Sequence, residues 1–144
     1  MPDFAALASI FGVAFLSLWG SIPAGRALGV PPLIVVITAA VSYSVGAALV
    51  VFLGQPVRDW LMKRGGDKIL GSENNPVRKV WNRYGVIGLG LLAPLTTGSQ
   101  IGAAVGMALN ARPIHLWAWL TFGGLLWAAI IALVIELGLG VVAQ

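Results

Sequence analysis

The sequence predicts an all-α integral membrane protein built from two copies of one unit, and three observations carry that prediction. The 144 residues are 58% hydrophobic and only 10% charged, where soluble domains carry roughly 25% charged residues. Long apolar runs occupy Phe4–Ile22, Leu33–Gly54, Val86–Leu109 (interrupted) and Ile114–Val142. A spanning helix needs about 20 such residues, so two of these runs qualify outright and two are ambiguous. Finally, Phe11-Gly-Val-Ala-Phe-Leu-Ser-Leu18 and Tyr84-Gly-Val-Ile-Gly-Leu-Gly-Leu91 match at Gly, Val, Leu and Leu, each after an aromatic residue, and each leads to prolines and glycines and then to a long apolar run. Broken apolar segments in corresponding places of two halves point to the binding site of a small transporter.

The predicted organisation is one membrane domain over 1–144. It comprises a first repeat (1–54), a basic connector (55–83) and a second repeat (84–144). In the first repeat, Gly20, Pro23, Gly25, Gly29, Pro31 and Pro32 argue against one continuous helix, because each proline removes a backbone hydrogen bond that lipid cannot replace. A turn is therefore expected there. Leu33–Gly54 then spans, with Ser42, Tyr43 and Ser44 as a polar notch.

Seven of the nine Lys and Arg fall in the connector: Arg58, Lys63, Arg64, Lys68, Arg78, Lys79 and Arg83. A basic loop between apolar spans is retained in the cytoplasm. Pro56–Arg64 reads as a short helix closed by Gly65-Gly66. Asn75-Pro76 supplies an N-cap and first residue for a second. There Val77, Val80, Trp81 and Tyr84 share one face, suiting a helix on the membrane surface with Trp at headgroup level and a minor contact to anionic lipid. Nucleic-acid binding is not expected, since no aromatic platform accompanies the charge.

In the second repeat Pro94 is followed by Thr96, Thr97, Gly98, Ser99 and Gln100. Polar groups amid an apolar stretch are costly unless they find partners, and a helix restarting near Thr97 would aim N–H groups at an anion. The small residues Gly102, Ala103, Ala104, Gly106 and Ala108 suit close helix packing. Arg112-Pro113 ends the unit, and Ile114–Val142 spans with one carboxylate, Glu136.

No Lys or Arg precedes Arg26, so the first apolar run is expected to remain in the mature protein rather than serve as a signal peptide. With no cysteine and a single histidine, His115, no disulfide, thiol chemistry or metal cluster is expected. Gly88 and Gly90 lack the strand–helix setting of a nucleotide motif. The chain is thus not expected to be an enzyme or to carry a cofactor.

Two segments resemble a known family. Ser17-Leu-Trp-Gly-Ser-Ile-Pro23-Ala-Gly-Arg26-Ala-Leu-Gly-Val-Pro31 is similar to the first motif of the small multidrug export proteins, relatives of the DedA/VTT membrane proteins. Arg83-Tyr-Gly-Val-Ile-Gly-Leu89 with Ala93-Pro-Leu-Thr-Thr-Gly-Ser99 is similar to the second motif. The likeness covers about residues 10–140. Ser17 and Trp19 stand where the family has Glu and Arg, and Thr96, within Leu95-Thr96-Thr97-Gly98, stands where its later motif has the second proline and glycine. The resemblance implies two inverted repeats, each a re-entrant helical hairpin plus a long transmembrane helix. Four simple transmembrane helices are the alternative, since the 19 residues of Phe4–Ile22 reach about 28 Å.

The candidate substrate- or ion-binding residues are Pro23, Gly25 and Arg26 in the first repeat, with Arg26 expected at a hairpin tip. In the second they are Pro94, Thr96, Thr97, Gly98, Ser99, Gln100 and Glu136. Arg26 suits an anion, and Glu136, the one acid in an apolar run, suits a proton carrier. An Arg26–Glu136 pair requires the first hairpin to pack on the last helix. The expected partners are membrane lipid and further copies of the chain, or a larger membrane complex. The expected location is a bacterial inner membrane or a thylakoid-like internal membrane. Transport or lipid handling is the first functional reading, and a non-catalytic structural subunit the second.

Overall fold

The computed structural model describes residues 3–54, 56, 59, 60, 63, 64, 76–109 and 111–142. Six helices form this part: α1 (Phe4–Leu16), α2 (Leu18–Ala27), α3 (Pro32–Phe52), α4 (Pro76–Thr96), α5 (Gly98–Ala108) and α6 (Pro113–Val142). Two of them, α3 and α6, are long and apolar enough to cross a membrane. Pro32, Pro76 and Pro113 each open a helix, where the missing N–H would have had no partner anyway. Gly65-Gly66 and the Asn75 cap lie outside the described residues.

Helix α3 is the hub. It packs against α1, α2, α5 and α6, and it buries Val35, Ala39, Tyr43 and Ala47 almost completely. Its contacts with α6 run in opposite chain directions. Phe52 stacks edge-on against Trp117 with ring centroids 6.4 Å apart, Ser44 Oγ meets Thr121 Oγ1 at 3.0 Å, and the Tyr43 ring fills the space a Cβ on Gly124 would need. The two long helices are therefore antiparallel.

Each half places two shorter helices on its own long one. Ser42 donates to the Phe11 carbonyl at 2.6 Å, and Gln100 lies against Gly46 while bonding Phe15. So α1 runs alongside α3 and stops short of its end. Helix α2 then turns back until Gly25 meets Val35. In the second half Gly90 lies against Trp119 and Gly123, and Leu91 accepts a hydrogen bond from Trp127 Nε1 at 2.8 Å. Helix α5 turns back along α6, with Gly102 against Leu120 and Gly106 against Leu116.

A few contacts in the two halves are alike. Val30 N–H donates to the Gly25 carbonyl, and Ala111 N–H to that of Gly106. A Cβ on Gly25 would sit 2.7 Å from Val35, and one on Gly106 2.5 Å from Leu116. Gly25 and Gly106, Val30 and Ala111, Pro32 and Pro113, and Val35 and Leu116 are all separated by 81 positions. Exchanging α1, α2, α3 for α4, α5, α6 also leaves the set of principal helix pairings unchanged. This spacing differs from that of the Phe11 and Tyr84 motifs, which lie 73 positions apart. Gly85, with φ 58 and ψ −139, bends the basic start of α4 away from its apolar continuation. The second motif therefore begins before the element that corresponds to α1.

The chain breaks differ from those expected. Pro23 and Pro94 both sit inside helices, α2 and α4. A proline inside a helix removes one bond, and lateral packing keeps the helix continuous past it. Pro94 leaves the Gly90 carbonyl without its helical donor, and that carbonyl lies directly against Gly123, a close approach suited to a Cα–H···O contact. The interruptions fall instead at Ser17, which is extended (φ −151, ψ 108), and at Thr97-Gly98, where Gly98 takes φ 78.

Candidate functional site

The ten candidate residues separate into two groups. One is an ion pair at the end where α2 and α6 finish. The other is a polar junction at the two helix breaks.

Arg26 lies in the last turn of α2, so it stands at the open base of the first hairpin and not at its tip, which is Ser17. Its Nε is 2.5 Å from Glu136 Oε1. Neither atom has a hydrogen-bond partner, so the contact is one of charge and not of aligned donation. Arg26 Nη1 donates to the Val30 carbonyl at 2.9 Å. That carbonyl belongs to the turn which closes α2, and the bond ties the guanidinium to the hairpin base. Gly25 makes the position accessible: it is buried, and its bare Cα lets α2 come against Val35. Glu136 arrives from the far end of the chain because α6 is antiparallel to α3. Pro23, three residues before Arg26, is exposed and touches neither partner. Among the described residues Arg26–Glu136 is the one ion pair, and Arg26's structural counterpart, 81 positions on, is Met107. The charge is thus confined to one of two otherwise matching hairpins.

The junction is built by the second hairpin reaching the first. Gln100 Nε2 donates to the Phe15 carbonyl at 2.6 Å, satisfying a group that the end of α1 leaves without a helical partner. Ser99 is buried, and its hydroxyl donates to Gln100 Oε1 at 3.2 Å, which holds the amide in that orientation. Both side chains occupy space that a side chain at Gly46 would take. Thr97 caps α5 without a side-chain bond, and its N–H returns to the Ala93 carbonyl. Thr96 is exposed, with its hydroxyl on the Leu92 carbonyl, and Pro94 is buried in α4 without contributing a polar group. The helix restart expected near Thr97 is present at Gly98. At Ser17 the hydroxyl accepts from Gly20 N–H at 3.4 Å and so caps α2.

Residues outside the candidate set complete the core polar network. Ser42 and Ser44 of the notch reach Phe11 and Thr121, and Trp117 Nε1 donates to the Ser44 carbonyl at 3.2 Å. Tyr43 is almost wholly buried and its hydroxyl has no partner, an uncommon state for a buried donor. Thr121, Gly123 and Gly124 carried no sequence signal of their own. Only the antiparallel α3–α6 crossing gives Thr121 and Gly124 partners, and only the packing of α4 on α6 gives Gly123 one. No group of three or more His, Cys, Asp or Glu suited to a metal occurs among the described residues.

A shallow apolar groove of about 480 Å³ opens between α1 and α3, lined by Phe4, Leu7, Phe11, Ile37, Thr38 and Val41 among others. A smaller one of about 280 Å³ is lined by Ala118, Trp119 and Phe122, the positions 81 beyond Ile37, Thr38 and Val41. The internal correspondence therefore extends to the outer surface.

No curated protein and no solved structure matches the chain. A family model described as Putative small multi-drug export protein matches residues 18–130. That span runs from the start of α2 into the middle of α6 and takes in Arg26, all of α3, the second hairpin and the first part of α6. With two membrane-length helices and a match over most of its length, this chain is a membrane protein that belongs to the small multidrug export protein family.

Proposed function

We propose that the chain is a small membrane transporter of the DedA-like small multidrug export type. In this reading the two helix pairs are re-entrant hairpins related by an inverted repeat. The carrying observation is the 81-position correspondence combined with antiparallel long helices. Two like units on antiparallel helices are related by an axis across the helices, which in a bilayer lies in the membrane plane. Each hairpin breaks beside its long helix and not beyond it, as a segment that enters and leaves on one side must. The four-span alternative loses support on the same ground.

Arg26 and Glu136 are the moving charges in this account. A carboxylate in an apolar helix is costly unless paired. Separation of Glu136 from Arg26 loosens the first hairpin from α6, while the second hairpin holds the junction through Gln100. The protein acts without chemistry on its substrate, as a homo-oligomer in a bacterial inner membrane with the 55–83 connector in the cytoplasm. The test is uptake or lipid flipping by the purified protein in vesicles. Glu136→Gln and Arg26→Gln are each expected to lower the rate about tenfold or more, and unchanged rates in both would remove the pair from the mechanism.

A second reading has its own support. Gln100, Ser99, Thr96, Ser42 and Ser21 all find partners within the protein, as expected of a structural subunit in a larger membrane assembly. Recovery of a stable hetero-complex after mild extraction, with no transport by the isolated chain, favours that reading.

A further inference from the structure

Cations outnumber acids among the described residues of the connector, with Lys63, Arg64, Lys79 and Arg83 against Asp59. Because α3 and α6 are antiparallel, the Phe52–Trp117 contact places the start of α6 at the end where α3 finishes. Arg112, exposed just before α6, therefore lies at the end of the bundle from which the connector leaves α3. Lys63, Arg64, Lys79 and Arg83 of the connector are exposed as well. The opposite end holds Asp3 and the mutually compensating Arg26 and Glu136.

Two of the connector's arginines lie over aromatic rings. Arg64 Cζ lies 4.7 Å from the centroid of the Trp60 ring, and Arg83 Cζ lies 5.6 Å from that of Tyr84. Both rings are more than half exposed, at 54% and 58%, so they are not anchored in the protein core. Stacking occupies the face of a guanidinium and leaves its edge donors to grip a phosphate through two parallel hydrogen bonds. Trp and Tyr settle at the depth of lipid headgroups. The Gly85 bend sets the Arg83–Tyr84 stack off from the apolar continuation of α4, which begins at Val86.

From these observations we propose that the connector and the start of α6 form a binding surface for anionic phospholipid headgroups, with the Arg64–Trp60 and Arg83–Tyr84 stacks as its phosphate contacts. Charge complementarity selects the occupant: five exposed cations, Lys63, Arg64, Lys79, Arg83 and Arg112, stand against one described acid, Asp59. This holds whether or not the chain transports anything.

The full-length protein in nanodiscs of phosphatidylcholine with a minority of phosphatidylglycerol tests it. Lipid retained on mild extraction is quantified by mass spectrometry. Phosphatidylglycerol is expected to be enriched over the bulk composition. Each cation removed near an anionic surface lowers such enrichment about fivefold, so Arg64→Gln with Arg83→Gln is expected to reduce it by that factor or more. Added salt acts in the same direction. Arg64→Lys with Arg83→Lys keeps the charge but loses the planar fork, and enrichment is expected to fall there as well. Inorganic phosphate at millimolar concentration is expected to leave the retained lipid unchanged. The proposal is overturned by a retained pool that mirrors the bulk, by enrichment indifferent to the Gln or the Lys pair, by displacement with inorganic phosphate, or by single-stranded DNA stripping the lipid.

Discussion

Replacing Glu136 by Gln removes one charge from the Arg26–Glu136 contact and leaves Arg26 in place. At about 4 Å and an effective dielectric constant near 20, a unit pair is worth about 4 kcal/mol. The side chains are 24% and 38% exposed, and solvent or headgroups screen them accordingly. Arg26 also retains its bond to the Val30 carbonyl, so its charge is not stranded. These two corrections bring the expected coupling to about 1–3 kcal/mol. The measurement is a double-mutant cycle over wild type, Arg26→Gln, Glu136→Gln and the double variant, with unfolding followed by tryptophan fluorescence as SDS is titrated into mixed micelles. The double variant is expected to be more stable than the sum of the two single losses implies. A coupling within about 0.5 kcal/mol of zero would show that the contact neither holds the first hairpin to α6 nor can gate it.

Two further predictions follow from packing. Gly25→Ala and Gly106→Ala place a methyl in the same relation to Val35 and Leu116. Each is expected to cost about 1–3 kcal/mol in the same titration, whereas Gly12→Ala, which meets nothing within 4 Å, is expected to stabilise by about 0.5–1 kcal/mol. Gln100→Leu strands the Phe15 carbonyl at the break and is expected to cost about 1–3 kcal/mol, with faster hydrogen exchange at the end of α1 as the local reading.

Membrane residence and the two long helices were legible in the residues alone. These depend on runs of apolar side chains and on where prolines and glycines fall, which are local properties. The restart near Thr97 was legible for the same reason, since a short polar stretch after Pro94 can satisfy itself only where the helix is interrupted. The residues misplaced the breaks at Pro23 and Pro94. Whether a proline interrupts a helix depends on the neighbour packed against the vacated carbonyl, and for Gly90 that neighbour is Gly123, in a different helix. The motif spacing differs from that of the shared contacts for a related reason: Phe11 and Tyr84 share letters, yet the Gly85 bend puts Tyr84 ahead of the unit's first buried helix.

Arg26 and Glu136 are separated by most of the chain, and their types announced only that each needed an answer for its charge. The antiparallel passage of α3 and α6 supplied that answer, by returning the end of the protein to the base of its first hairpin. It likewise carried Arg112 to the end where α3 finishes and set Gln100 under Phe15. Composition and spacing set which groups must be satisfied, because desolvation acts on every residue wherever it lies. Which groups satisfy one another was settled only by helix packing, because that follows from shape at contacts between residues distant in the chain.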